Sequence, residues 1–253
     1  MPSVYIFCTS ENIFHPPMFD AILENRSIKV VGAGIFPGTK NDSMFNIIKK
    51  VMAFDGTIAP FRLVRSILVH RLQRFLNPDL HPARIEDVFA KHGIRPDYFQ
   101  NPNAPECIRR VKDIGVEIIL NNQPLYLKQG ILAAPILACL NKHTSALPAY
   151  RGVEPVFHAL LAEEPLIGVS IHSMELDIDA GYVYAQTFVK AEKSVFECYK
   201  ATFSVSASLF SKALDNLMKG EYLFKIDPRQ SYYYRSPTKE QIARFRQLGL
   251  SYL

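Results

Sequence analysis

Residues 141–186 read NKHTSALPAYRGVEPVFHALLAEEPLIGVSIHSMELDIDAGYVYAQ. An amide and an imidazole, Asn141 and His143, stand one residue apart at the end of an apolar run, 139–143, with the pattern of a strand. In a strand, positions i and i+2 point to the same side. Both side chains therefore project together from a strand's carboxyl end, where open α/β sheets take their ligands. Two carboxylates, Asp177 and Asp179, lie just before Ala180-Gly181 in the turn between two further strand-like runs, 168–174 and 181–188. A carboxylate returning from that turn meets His143. An amide donor and an imidazolium stabilise an oxyanion. A carboxylate keeps the imidazole charged and accepts protons from an attacking amine. The set suits acyl transfer without a covalent enzyme intermediate.

Two more histidines fall in this stretch. His172, inside a strand, reads as structural or as support for the site. His158, on an amphipathic helix, reads as packing or as a contact to substrate. Gly32-Ala33-Gly34 follows a strand, but Pro37 stands where a dinucleotide fingerprint needs its third glycine. The first strand-to-helix turn, 9–12, has no glycine, and neither G-x-x-x-x-G-K-[ST] nor G-x-S-x-G occurs.

The elements that must carry these residues alternate. Strands are expected at 4–8, 28–31 (closed by the glycines at 32–34), 116–120, 139–143, 168–174 and 181–188. Helices are expected at 15–24, 84–92 (ended by Gly93), 104–113 (capped by Asn103), 153–162 and 195–219, with 125–132 helical or looped. Ser194 and Glu197 are spaced as a capping box. Strand–helix–strand alternation implies a Rossmann-like α/β fold, a mostly parallel sheet with helices on both faces. Residues 43–76 interrupt the rhythm as a basic amphipathic helical insertion, read as a surface helix, with a membrane-surface helix as the alternative. Residues 1–190 form the catalytic domain. Residues 191–253 form a C-terminal helix and an aromatic tail, including a short helix near Pro237.

With 48% hydrophobic and 21% charged residues, the chain is no disordered or low-complexity sequence. No apolar stretch is long enough for a transmembrane span, and the N-terminus lacks the pattern of a signal peptide. The four cysteines are widely spaced, with neither disulfide nor zinc spacing, which fits a cytoplasmic setting. A net charge of +5 is mild: it suits an anionic small molecule or a weak affinity for nucleic acid and demands neither, and no stable nucleic-acid complex is expected.

The motif N-x-H-x-S-x-L-P-x-x-R-G at 141–152, with Ile178-Asp179-Ala180-Gly181 after it, resembles the folate-dependent formyltransferases. That family includes glycinamide ribonucleotide formyltransferase, methionyl-tRNA formyltransferase and sugar N-formyltransferases. The resemblance is clear from about residue 116 to 186. It implies that a formyl group passes from the co-substrate N10-formyltetrahydrofolate to an amine, with Asn141, His143 and Asp179 as the catalytic set and no metal. It places the pterin pocket at Leu120, Asn121, Asn122, Gln123, Pro124, Leu125, Leu127 and the loop 175–179. Asp177, in that loop, is two residues from the family's catalytic position and is assigned to the co-substrate. The acceptor side takes Arg151, Gly152, His158, Tyr233 and Arg235. The tail Tyr232–Arg235 offers rings to stack on a base and a guanidinium for a phosphate.

Methionyl-tRNA formyltransferases carry a further C-terminal β domain, for which residues 187–253 leave no room. Purine-pathway enzymes lack an insertion like 43–76, and formyltetrahydrofolate hydrolases carry an N-terminal regulatory domain. The implied enzyme resembles a stand-alone N-formyltransferase acting on a small-molecule amine, a nucleotide-linked amino sugar foremost. The alternatives are a formyltetrahydrofolate hydrolase and a non-catalytic folate-binding or membrane-surface protein. The acceptor's identity, the competition from water, the role of 43–76 and the oligomeric state, a homodimer included, stay open.

Overall fold

A computed structural model describes residues 1–10, 12–25, 28–38, 44–56, 64 and 84–253. One eight-stranded sheet organises them, in the order β3-β2-β1-β4-β5-β7-β8-β9. Its first half comprises β1 (Ser3–Thr9), β2 (Lys29–Phe36), β3 (Asp97–Tyr98), β4 (Ile118–Asn121) and β5 (Ala138–His143). All pairings among these are parallel. β7 (Leu166–Ser173), β8 (Gly181–Lys190) and β9 (Phe224–Ile226) then add antiparallel to β5. The order 3-2-1-4-5 is that of a doubly wound sheet, as expected, with its crevice at the carboxyl ends of β1, β4 and β5.

Side chains alternate across the sheet and meet a helical layer on each face. On one face Val4, Ile6, Ile118, Leu120, Leu140 and Ile171 are buried. They pack under α1 (His15–Glu24), α3 (Ile85–Lys91) and the long α8 (Ser206–Lys219). On the other face Tyr5, Phe7, Ile119 and Cys139 pack under α4 (Pro105–Ile114) and the single turn α5 (Gln129–Leu132). A third apolar cluster joins α2 (Met44–Asp55), α6 (Pro155–Leu161), α7 (Val195–Ser204) and α9 (Lys239–Gln247) through Phe54, Phe157 and Phe245.

Several expectations are corrected. The glycines at 32–34 do not end β2 but lie inside it: a Cβ on Gly32 would stand 2.6 Å from the Tyr5 ring. Asn103 does not cap α4; its side chain instead holds the Tyr126 carbonyl and the Lys128 amide. The helix expected over 195–219 breaks at Val205 into α7 and α8. Thr202, Ser204, Ser206 and Ser208 all donate back to main-chain carbonyls around the break, a habit that bends helices. At its start Ser194 Oγ does accept from the Glu197 amide. β9 lies within the stretch read as tail, and its three residues are too few for a periodic signal.

Of the insertion at 43–76, α2 is described, with Val51 and Phe54 buried; residues 57–63 and 65–76 lie outside the described residues. Phe54 stands edge-on to Phe157 at 5.4 Å, and the Asp55 carboxylate accepts from the amides of Tyr252 and Leu253. Among the described residues no helix is long and apolar enough to cross a membrane.

Candidate active site

β5 delivers the reactive pair. Cys139 faces the α4/α5 layer, so Asn141 and His143 follow on that same face at the strand's carboxyl end. Lys142, between them, turns to the opposite face. It is 5% exposed, its Nζ lies 2.9 Å from the centroid of the Phe203 ring, and that nitrogen has no hydrogen-bond partner among the described residues. Burial holds its pKa well below the usual lysine range.

The loop after β5 folds back against β7. Ser170 Oγ donates to the Ser145 carbonyl and accepts from the Leu147 amide, and Gln186 donates to the Leu147 carbonyl. This brings the Tyr150 carbonyl to 2.9 Å from His143 Nε2. On the other side of the ring, Nδ1 lies 3.4 Å from Asp179 Oδ1, and both side chains are nearly closed off from solvent. Both ring nitrogens thus face oxygen acceptors.

Asp179 is held for this task. Its backbone is left-handed at φ 51°, and its Oδ2 accepts from the Gly152 amide at 2.7 Å. Gly152 has φ 99°, and a Cβ there would strike the Tyr234 carbonyl. Of the two candidate carboxylates, Asp179 reaches His143. Asp177 is exposed, and its carbonyl accepts from the Ala180 amide at 3.3 Å.

Arg151, expected to face the acceptor, is only 4% exposed and is bound up in holding the loop. Its guanidinium donates to the carbonyls of Ile178, Asp179 and Pro228 and to Ser231 Oγ.

His172 supports Asn141. Its Nδ1 faces two carbonyls, Ser173 at 2.8 Å and Ala180 at 3.0 Å, so Nδ1 carries the hydrogen. Burial lowers its pKa below that of a free imidazole, which leaves a neutral ring with a bare Nε2, 3.4 Å from Asn141 Nδ2. Asn141 Oδ1 accepts from Asn121 Nδ2 at 3.2 Å. Among the described residues the second Nδ2 hydrogen has no partner and is available to a ligand oxygen.

The segment expected to hold the co-substrate divides. Leu120 and Leu127 are 0% and 1% exposed and belong to the core. Asn121 and Gln123 are buried, with their side chains turned on one another. Asn122 binds inward, its amide 2.7 Å from Nε2 of buried His15, whose pKa burial pushes down to about 4. Pro124 is exposed and Leu125 half-buried.

Tyr126, which sequence reasoning missed, donates from its hydroxyl to the Leu176 carbonyl at 2.6 Å and ties this segment to the loop before Asp179. A cavity of about 410 Å³ opens beside that loop, lined by Gln129, Leu132, Ala133 and residues 174–177. Its lining sets apolar side chains beside the Gln129 amide and the Glu175 and Asp177 carboxylates. Asn141, His143 and Asp179 are not part of its lining.

The tail packs on the segment that follows the β5 loop. β10 (Tyr233–Tyr234) pairs with β6 (Arg151–Gly152), and Tyr234 lies 4.6 Å from the His158 ring. His158 Nε2 donates to the Arg235 carbonyl at 2.9 Å, so this buried histidine anchors the tail. The rings of Tyr232 and Tyr233 and the side chain of Arg235 remain exposed.

A sequence profile of the family described as Formyl transferase matches residues 84–214, more than half of the chain. The chain belongs to the formyl transferase family. Its catalytic-strand motif and its Asp179 turn fall inside the match. A methionyl-tRNA formyltransferase from Methylobacterium sp. is 28% identical over 171 residues, covering 65% of this chain and 54% of that protein. The chain spans about half the length of the curated relatives it matches.

Among solved structures, glycinamide ribonucleotide transformylase 1 from Symbiobacterium toebii aligns with a TM-score of 0.59 at 15% identity, over 93% of this chain and 95% of that one. An N-formyltransferase from Helicobacter canadensis, solved with folinic acid and dTDP-3-aminofucose, aligns at 0.57 and 16% identity, over 97% and 79%. At these identities the structural likeness establishes the fold.

Proposed function

We propose that this formyl transferase family member moves a formyl group from N10-formyltetrahydrofolate to a primary amine on a small metabolite, foremost a nucleotide-linked amino sugar. The observation that carries the reading is the His143–Asp179 pair, beside an Asn141 amide on the same strand face with an N–H that has no partner among the described residues. The acceptor nitrogen attacks the formyl carbon. Asn141 Nδ2 donates to the formyl oxygen as negative charge develops there, and the positive charge of the His143 imidazolium, its ring held by Tyr150 and Asp179, adds to the stabilisation. Asp179 takes a proton from the attacking nitrogen, directly or through water, and the bond from carbon to N10 breaks as N10 is protonated. No covalent enzyme intermediate is needed.

Two features support the acceptor class. Tyr233 presents its ring beside Gly152, whose amide donates to Asp179, and Tyr232 and Arg235, its close neighbours in the chain, are exposed. A structural neighbour was solved with a nucleotide sugar. The test is a transfer assay with formyl-folate against nucleotide-linked amino sugars, free amino acids and aminoacyl-tRNA, read by mass. A formyl gain on a nucleotide-linked amine, with KM for that amine raised about tenfold in Arg235→Ala, is expected. Transfer to aminoacyl-tRNA alone would overturn the acceptor assignment. Release of formate without any amine would favour a hydrolase.

A further inference from the structure

Sheet register places Asn121 opposite Asn141 across β4–β5, and Asn141 opposite His172 across β5–β7. Cross-strand partners share a face and stand within side-chain reach. The resulting line of hydrogen bonds has a single polarity. Neutral His172 offers a bare Nε2 to Asn141 Nδ2. Asn141 Oδ1 is therefore turned toward β4, where Asn121 Nδ2 donates to it. Asn121 Oδ1 accepts from Gln123 Nε2 at 3.1 Å. Gln123 is itself clamped by Leu125: Nε2 donates to the Leu125 carbonyl at 2.8 Å, and Oε1 accepts from the Leu125 amide at 2.6 Å.

An isolated carboxamide flips between two orientations of similar shape. Here the flipped Asn141 would set oxygen against a bare imidazole nitrogen and N–H against N–H, leaving two buried polar groups unmatched. The far end of the ladder lies in segment 121–127, which also carries Tyr126, whose hydroxyl bonds the cavity wall at Leu176.

We propose that Asn121 and Gln123 are positioning residues: their side chains do not touch the co-substrate but hold the Asn141 amide with its N–H toward the formyl oxygen. This rests on the formyl-transfer reading. The direct test is Asn121→Asp, which keeps size and shape but replaces the donor to Asn141 Oδ1 with a second oxygen. A kcat loss of about 10²-fold is expected, comparable to loss of an oxyanion donor, with KM for formyl-folate changed less than about threefold. In an Asn141→Ala background the same substitution costs less than about twofold more, because its effect passes through Asn141. Gln123→Glu, one link further out, lowers kcat about tenfold and carries the test if Asn121→Asp does not fold. The side-chain amide signal of Asn141 in a ¹⁵N spectrum moves in either variant.

Wild-type kcat in both variants, a rise in KM with kcat unchanged, or a full additional loss in the Asn141→Ala background would overturn the assignment. An inactive wild type whose Asn141 signal still moves in Asn121→Asp would sink the formyl-transfer reading and keep the ladder. An active wild type with kcat and the signal both unchanged would do the reverse.

Discussion

His143 is gripped from both sides, by the Tyr150 carbonyl and the Asp179 carboxylate, and each grip tests a different part of the chemistry. Asp179→Asn retains a partner for Gly152 but loses the charge proposed to receive a proton. Turnover is expected to fall by about 10²-fold or more, while circular dichroism stays that of the wild type. Lys142 calls for a different measurement. A buried amine without a partner costs stability whenever it is protonated. Lys142→Met is therefore expected to be the more stable protein at neutral pH. The unfolded chain holds the lysine proton up to its ordinary pKa, while the folded chain gives it up earlier. The excess stability of Lys142→Met over wild type must then shrink as pH rises toward 10, by up to about 1.4 kcal/mol per pH unit. Denaturant titrations of both proteins across that range check the sign. His15 shapes the acid side of the same curve. With its folded pKa near 4, stability is fully present above about pH 6.5 and falls as pH drops toward 4. The loss amounts to about 3 kcal/mol, and removing the ring in His15→Asn flattens that part of the curve.

Elements set how finely these side chains are held. The turn carrying Asp179 leaves its own Leu176 and Ile178 exposed; Arg151 fastens it from β6, and β6 is in turn paired with the tail strand β10. Arg151→Lys replaces a planar fork with a single ammonium and cannot reach all of these acceptors. It is expected to lower kcat about tenfold while unfolding shifts little. Phe245 on α9, fully buried against Phe157 and Phe54, is expected to cost about 3–5 kcal/mol as Phe245→Ala, read from the denaturant midpoint.

How much of this was legible in the sequence depended on range. Asn141 and His143 follow from strand alternation, and the Asp179 turn from its position before Gly181. The role of Arg151 did not, because its partners Pro228 and Ser231 are far along the chain. The ladder through Asn121 was hidden for the same reason: it depends on which strand lies beside which, and no local pattern encodes strand order. Gly32 misled because a glycine inside a strand looks like a stop signal until its neighbour, the Tyr5 ring, is seen.

At the scale of the molecule, one sheet carries Asn141 and His143 at the carboxyl end of β5. The cavity lies beside residues 174–177 of the Asp179 loop, and the aromatic tail pairs with β6, whose Arg151 holds that loop. On the proposed reading a donor and an acceptor must meet at the same amide, imidazole and carboxylate, which is what direct transfer between two bound molecules requires. α2 belongs to this arrangement through Phe54 and Asp55, which pin the C-terminal segment that carries α9. The most direct measurement is single-turnover transfer from formyl-folate labelled with ¹³C in the formyl carbon, run on wild type, His143→Ala and Asp179→Asn with the best amine of the panel. Labelled formamide forming about 10²-fold or more slowly in either variant than in wild type, despite unchanged donor binding, is the predicted result. Equal rates of labelled product from all three proteins would contradict the account.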